Sequence, residues 1–279
     1  MTATIAVVGA LDVTLGDDGA QRANGDALVI ALVATRLGLE TSLVVHCASE
    51  VVADVRGPLV AEGLELEVLD ELETEGDVDH VRLVGDAALA VRHAARREAL
   101  VCVAGDGATT AALVLREADP RRTLRVLCFE PRSRLDTSAL RECDLLIVDL
   151  EVARTWCTTI DDGVSARGLA RRLFAFGPRR VVVLDRVGSS SVAFDGTLMH
   201  AIPFGLEQRQ PSANAVFTAA LVARLLVGDR LRAAIAVAVR CARLRAATSS
   251  TFPDLPTPQD FESFATRPGA ASAPKKERP

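Results

Sequence analysis

From residue 100 onward, short and almost wholly apolar runs alternate with longer amphipathic ones, and few architectures accommodate that rhythm. The runs are 100-LVCVAG-105, 124-LRVLCF-129, 144-DLLIVD-149 and 180-RVVVLD-185. A strand covered on both faces needs no polar alternation, so these predict central parallel strands. The segments between them, notably 108–118 and 163–177, predict helices packed on either side of the sheet. The N-terminal part repeats the pattern. A strand at 4-TIAVVG-9 is followed by a polar loop at 16–26, a helix ending near Gly38, a strand at 41–47, a helix at 53–63 and a strand at 65–69. A hairpin at 190–194 and 197–202 and helices at 214–226 and 229–246 complete an α/β chain with a three-layer α/β/α architecture.

The segment 70–107 breaks the rhythm with an acidic opening, 70-DELETEGDVDH-80. Runs at 80–84 and 88–93 predict a small hairpin, a reduced β lid within 65–98, although the same periodicity allows a helix at 87–96. The expected organisation is one domain over 1–247 and a C-terminal extension, 248–279, ending in a flexible tail.

With 279 residues, 49% of them hydrophobic, the chain can bury one large core. A net charge of -5 argues against a general nucleic-acid surface. The apolar stretches 27–38 and 219–228 are too short and too interrupted by arginine to cross a bilayer, and the N terminus lacks a secretory pattern. A cytoplasmic protein with no membrane partner is expected. The six cysteines are widely spaced and form no metal-binding pattern, so buried thiols and no metal are expected.

Several local motifs, in this order, resemble the ribokinase-like (PfkB) family of carbohydrate and nucleoside kinases over about residues 4–247. The run 24-NGDALVIALVATRLG-38 resembles the family's Gly-Gly loop and following helix, with Gly25 matching the second glycine and Val29 standing where a sugar-binding Asn is expected. Thr14 falls at the early substrate Asp. The turn 130-EPRSR-134 resembles Asp-Pro-Asn-x-Arg, with Glu130, Pro131 and Arg134 retained and Arg132 departing. The Asn-x-x-Glu region that organises Mg and phosphate aligns with 149-DLEV-152, where Val152 removes the carboxylate and Glu151 lies one residue earlier. Asp185 and Arg186 occupy a Thr-x-Gly phosphate seat. The family's Gly-Ala-Gly-Asp-Ala-Phe signature becomes 212-SANAVF-217, with Ser212 and Asn214 for the glycines and Ala215 for the catalytic Asp.

The resemblance implies a ribokinase-like fold and, because Thr14, Val29, Val152 and Ala215 remove separate parts of one reaction, lost ATP-dependent phosphotransfer. It implies a pseudoenzyme with a small-metabolite or protein partner, with pairing into homodimers through the lid. No cofactor is required by the remaining residues, and residual ATP and Mg binding stays open. Two alternatives remain: an enzyme repurposed for another reaction, and an unusual sugar or nucleoside kinase. Catalytic candidates for repurposing are Glu130, Arg134 and Asp149. Asp12, Gly25, Arg132, Asp185, Arg186, Ser212 and Asn214 are ligand-binding candidates, because they cluster after strands or before helices. Each also has a plainer structural role: Ser212 and Asp149 as helix caps, Glu130 pairing with Arg132 or Arg134, and Asp185 pairing with Arg186 in a turn.

Overall fold

Residues 2–15, 21–46, 56–69, 86–104, 108–129, 137–157, 165–185, 191–203, 212–247 and 259 are described by the computed structural model. The first elements are β1 (Thr4–Ala10), β2 (Asp12–Leu15), β3 (Gln21–Asn24), α1 (Asp26–Arg36), β4 (Glu40–His46), a short helix α2 (56–61) and β5 (Glu65–Leu69). Then come α3 (Asp86–Ala94), β6 (Ala99–Ala104), α4 (Ala108–Glu117), β7 (Leu124–Phe129), α5 (Thr137–Glu142) and β8 (Leu145–Asp149). The chain continues through α6 (Leu150–Trp156), α7 (Ala166–Phe174), β9 (Arg180–Leu184), β10 (Val192–Phe194), β11 (Met199–Ala201), α8 (Ala213–Leu226) and α9 (Leu231–Ala247).

The apolar runs form a nine-stranded sheet in the order β11-β10-β9-β8-β7-β6-β1-β4-β5. The pairings from β9 across to β5 are parallel, while β10 and β11 add an antiparallel edge. Because side chains alternate across a strand, each central strand feeds two cores. On β7, Val126 and Cys128 join the core beneath α1, α8 and α9, whereas Leu127 and Phe129 face α3 to α7. That is the expected three-layer arrangement. Helix α8 is buried on all sides from Ala215 to Ala223, as an apolar helix held between a sheet and two neighbouring helices must be. At Gly9 the first strand approaches α1 so closely that an added Cβ would lie 2.7 Å from Ala27 Cβ.

The lid expected within 65–98 needs correction wherever those residues are described. Residues 65–69 form the parallel edge strand β5, in register with β4 from Ser42↔Glu65 to His46↔Leu69, and 86–94 form the helix α3. The helical alternative prevails because Ala90, Val91, Ala94 and Ala95 face the core together, a helical and not an alternating spacing. Residues 70–85 lie outside the described set. Among the described residues the two-stranded sheet is instead β2 with β3, paired antiparallel from Asp12↔Asn24 to Leu15↔Gln21, with β3 inside what the sequence presents as a polar loop at 16–26. A homodimer built on strands at 65–98 therefore has no hairpin in α3 or β5 to use. The C-terminal extension is outside the described residues apart from Gln259.

Candidate functional site

Parallel strands end on one side of the sheet, and the crevice of an open α/β fold lies outside those ends. Here the ends belong to β1, β4, β5, β6, β7, β8 and β9, with α1 and α8 both beginning beside them.

Asp149 closes β8, directly opposite Leu184 of β9. It is 8% exposed and caps α6, its Oδ1 accepting from Glu151 N at 2.9 Å. Its Oδ2 accepts from Asn214 Nδ2 at 3.4 Å, across 65 residues of sequence. The expected capping role of Asp149 is thus present, and the same carboxylate fastens the start of α8 to the end of the sheet. The other amide atom, Asn214 Oδ1, is buried and has no hydrogen-bond partner. A buried acceptor left without a donor costs about 1–3 kcal/mol.

Ser212 precedes α8 with φ 67° and ψ 1°, in the left-handed region, and is the non-glycine residue with positive φ among those described. Its side chain makes no capping hydrogen bond, which corrects the expectation that it caps the helix by its hydroxyl. The backbone reason is that a capping residue takes an extended conformation, whereas Ser212 turns the other way. Gly25, preceding α1, has φ 124° and ψ 150°, which a residue with a side chain rarely adopts. The register of β2 and β3 places Asp12 opposite Asn24, next to Gly25.

Asp185 follows β9 and is half-buried. Its backbone N–H donates to Ser191 Oγ at 2.6 Å, and that hydroxyl donates to Asp185 O at 3.1 Å, so one serine joins both ends of the connection to β10. Glu151 is exposed in the first turn of α6, Val152 is buried within it, and Val29 is buried in α1. Thr14 pairs with Arg22 in the β2–β3 ladder. Glu130, Arg132, Arg134 and Arg186 lie outside the described residues, and their expected pairings with them.

Two residues not singled out in the sequence also shape this end of the molecule. Asp26 opens α1, and its charge reaches Cys128 near the end of β7. Burial first, and Asp26 after it, push the Cys128 thiol up to about 12 against a hydrogen bond to Thr218 that acts the other way. The thiol donates to Thr218 Oγ1 at 3.9 Å, and Thr218 is 2% exposed on the sheet-facing side of α8. A lone threonine in the apolar run 215–223 is the available sequence signal for that contact; Asp26 has its signal in following Gly25 at a helix start. Cys128 itself is a neutral buried thiol. Cys157 is half-buried, and burial raises its thiol despite the charge of Arg172. Among the described residues no group of three His, Cys, Asp or Glu side chains could hold a metal ion.

A solved ribokinase from Arabidopsis thaliana, complexed with ribose and ATP, superimposes with a TM-score of 0.70 at 15% identity, covering 95% of this chain and 99% of that one. This chain has a ribokinase-like fold. A ribokinase from Thermotoga maritima gives a TM-score of 0.68 at 13% identity, with 94% and 99% covered. A pyrophosphate-dependent kinase of the ribokinase family, complexed with a pyrophosphate analog and myo-inositol, gives 0.66 at 18% identity, with 93% and 100% covered. No protein-family model matches the sequence, and no curated protein matches it.

Ala215 is 2% exposed in the first turn of α8 and offers no oxygen to a hydroxyl or a cation. Both oxygens of Asp149 already accept hydrogen bonds. No helix among the described residues is long and apolar enough to cross a membrane.

Proposed function

We propose that this ribokinase-like chain binds a small metabolite or a protein partner at the crevice beside the starts of α1 and α8, without aspartate-dependent phosphoryl transfer. The supporting observation is Ala215, buried in the first turn of α8 at the position where the resemblance puts the proton acceptor. Phosphoryl transfer depends on charge placed where it develops, and a methyl group places none. The test is a phosphotransfer assay with Mg-ATP and a panel of sugars, nucleosides and vitamin-like alcohols, run beside native mass spectrometry of the purified protein. Retained metabolite or protein without transfer supports this reading; robust Mg-dependent transfer to one alcohol overturns it.

A second reading, an enzyme of different chemistry in the same crevice, is favoured by the unpartnered Asn214 Oδ1 beside the Asp149 carboxylate. It predicts a turnover abolished by Asp149→Asn, and by changes at Glu130 or Arg134, with the fold intact by circular dichroism. Full activity in all three variants removes that assignment.

A further inference from the structure

At the opposite end of the sheet, where the strands begin, lies a groove of about 410 Å³. That volume is in the range of metabolite sites. Leu124 at the start of β7 and Leu225 and Leu226 at the end of α8 supply apolar lining. Two pairs of arginines enter from different segments: Arg121 and Arg122 from the turn after α4, Arg179 and Arg180 from the approach to β9.

The charge balance of this groove decides its ligand. Its two acids are Asp144 and Glu98. Asp144 is held from behind by the buried Arg125, whose Nε and Nη2 donate to its two oxygens at 3.1 and 3.3 Å while its Nη1 meets Glu142 Oε2 at 3.5 Å. Arg179 Nε adds a further contact to Asp144 at 3.5 Å while remaining 72% exposed. Glu98 accepts from Thr4 N. Arg122 reaches Asp119 at 3.8 Å and is 88% exposed, and Arg121 and Arg180 have no ion-pair partner among the described residues. On a chain whose net charge is -5, this is a local cationic excess. The C-terminal dipole of α8 opposes an anion, but by less than one hydrogen bond to a charged group contributes.

We propose that this groove is a second ligand site, for a phosphomonoester with an apolar or aromatic body. Guanidinium groups approaching from two sides offer more donors than a carboxylate's two oxygens can take, whereas a phosphate presents three oxygens and up to two charges. The leucines then cover the body of the ligand.

Phenyl phosphate is a suitable probe, with inorganic phosphate and benzoate as controls, measured by calorimetry and by chemical shifts on the full chain. The expected result is saturable phenyl phosphate binding with a Kd at or below about 1 mM, at least tenfold weaker for either control. Arg121→Ala with Arg122→Ala, both on an exposed turn, weakens it by about tenfold or more, with unchanged melting temperature. Asp149→Asn, in the crevice, leaves it unchanged. Absence of saturable binding, equal binding of benzoate, indifference to the arginine changes, or sensitivity to Asp149→Asn each overturns the proposal. The outcome is independent of whether the crevice turns over a substrate.

Discussion

Ser212 stands in a conformation that disfavours side chains, yet its hydroxyl gives nothing back to the helix it precedes. An ordinary capping serine loses about 1 kcal/mol on replacement by alanine. Ser212→Ala should cost less than about 0.5 kcal/mol, because no cap bond is lost. Ser212→Gly should be neutral to about 1 kcal/mol stabilising, relief of the left-handed backbone being partly offset by the greater freedom of glycine when unfolded. Denaturant midpoints of the two variants check the order, and a loss of 1 kcal/mol or more in the alanine variant would show that the hydroxyl caps after all. At position 215 the expectation is different. Ala215→Asp puts a carboxylate where the side chain is 2% exposed, adjoining the Asn214 that already serves Asp149. It should destabilise by about 1–3 kcal/mol and, on the proposed reading, still give no phosphotransfer, because Val29, Val152, Asp185 and Ser212 also stand where the resemblance expects other residues. Efficient transfer from this single change would show that those other losses matter little.

At the scale of elements, two contacts hold the ends of the sheet in place. The approach of β1 to α1 depends on Gly9, since a Cβ there would meet Ala27 Cβ at 2.7 Å and Val103 Cβ at 3.2 Å. Both neighbours are anchored in regular structure, so Gly9→Ala should lower stability by about 1–3 kcal/mol, measurable by chemical denaturation. At the other end, Arg125 of β7 and Asp144 before β8 form a buried pair, with Glu142 of α5 and Arg179 around it. Asp144 Oδ2 also accepts from Arg125 N at 3.1 Å, so the pair aligns the starts of two strands. Arg125→Met alone should cost about 3–5 kcal/mol by leaving a buried carboxylate short of donors, and the double change with Asp144→Leu should cost less than the sum of the two single changes. A double-mutant cycle showing simple additivity would mean that the two residues act independently. The same elements show how local signals misplace structure. The strand expected at 65-ELEVL-69 is present as β5, an edge strand of the main sheet with Leu66 buried and Glu65 exposed, but the hairpin expected to run through 88–93 is replaced there by the helix α3. Helices α5 and α6, of 6 and 7 residues, are too short for periodicity to reveal.

Across the whole molecule, the fold was legible because unbroken apolar runs such as 100–104 and 181–184 have few places to go except the middle of a doubly covered sheet. The candidate site was legible only in part. Ser212, Asn214 and Asp149 stood out by motif, but the Asn214–Asp149 bond and the Ser191–Asp185 staple join segments that only folding brings together. The two-layered core carries one further consequence for pH. Burial raises the thiols of Cys102 and Cys143 and puts Cys128 at about 12 and Cys241 at about 11, from an ordinary value of 9.0. An acid whose native pKa lies above its unfolded one keeps its proton in the fold and releases it on unfolding, so stability is intact below pH 9 and falls as pH rises from there toward 12. The competing titrations are few: the chain has no tyrosine, and its lysines are Lys275 and Lys276 in the C-terminal extension. Arginine stays charged throughout. Each buried thiol should therefore remove stability on the order of 1 kcal/mol between pH 8 and pH 10, and the four act in the same direction. Denaturant unfolding of the wild-type chain and of Cys128→Val at the two pH values tests this directly. The variant should retain on the order of 1 kcal/mol more of its pH 8 stability at pH 10, and an identical loss in both proteins would place the alkaline sensitivity somewhere other than the buried thiols.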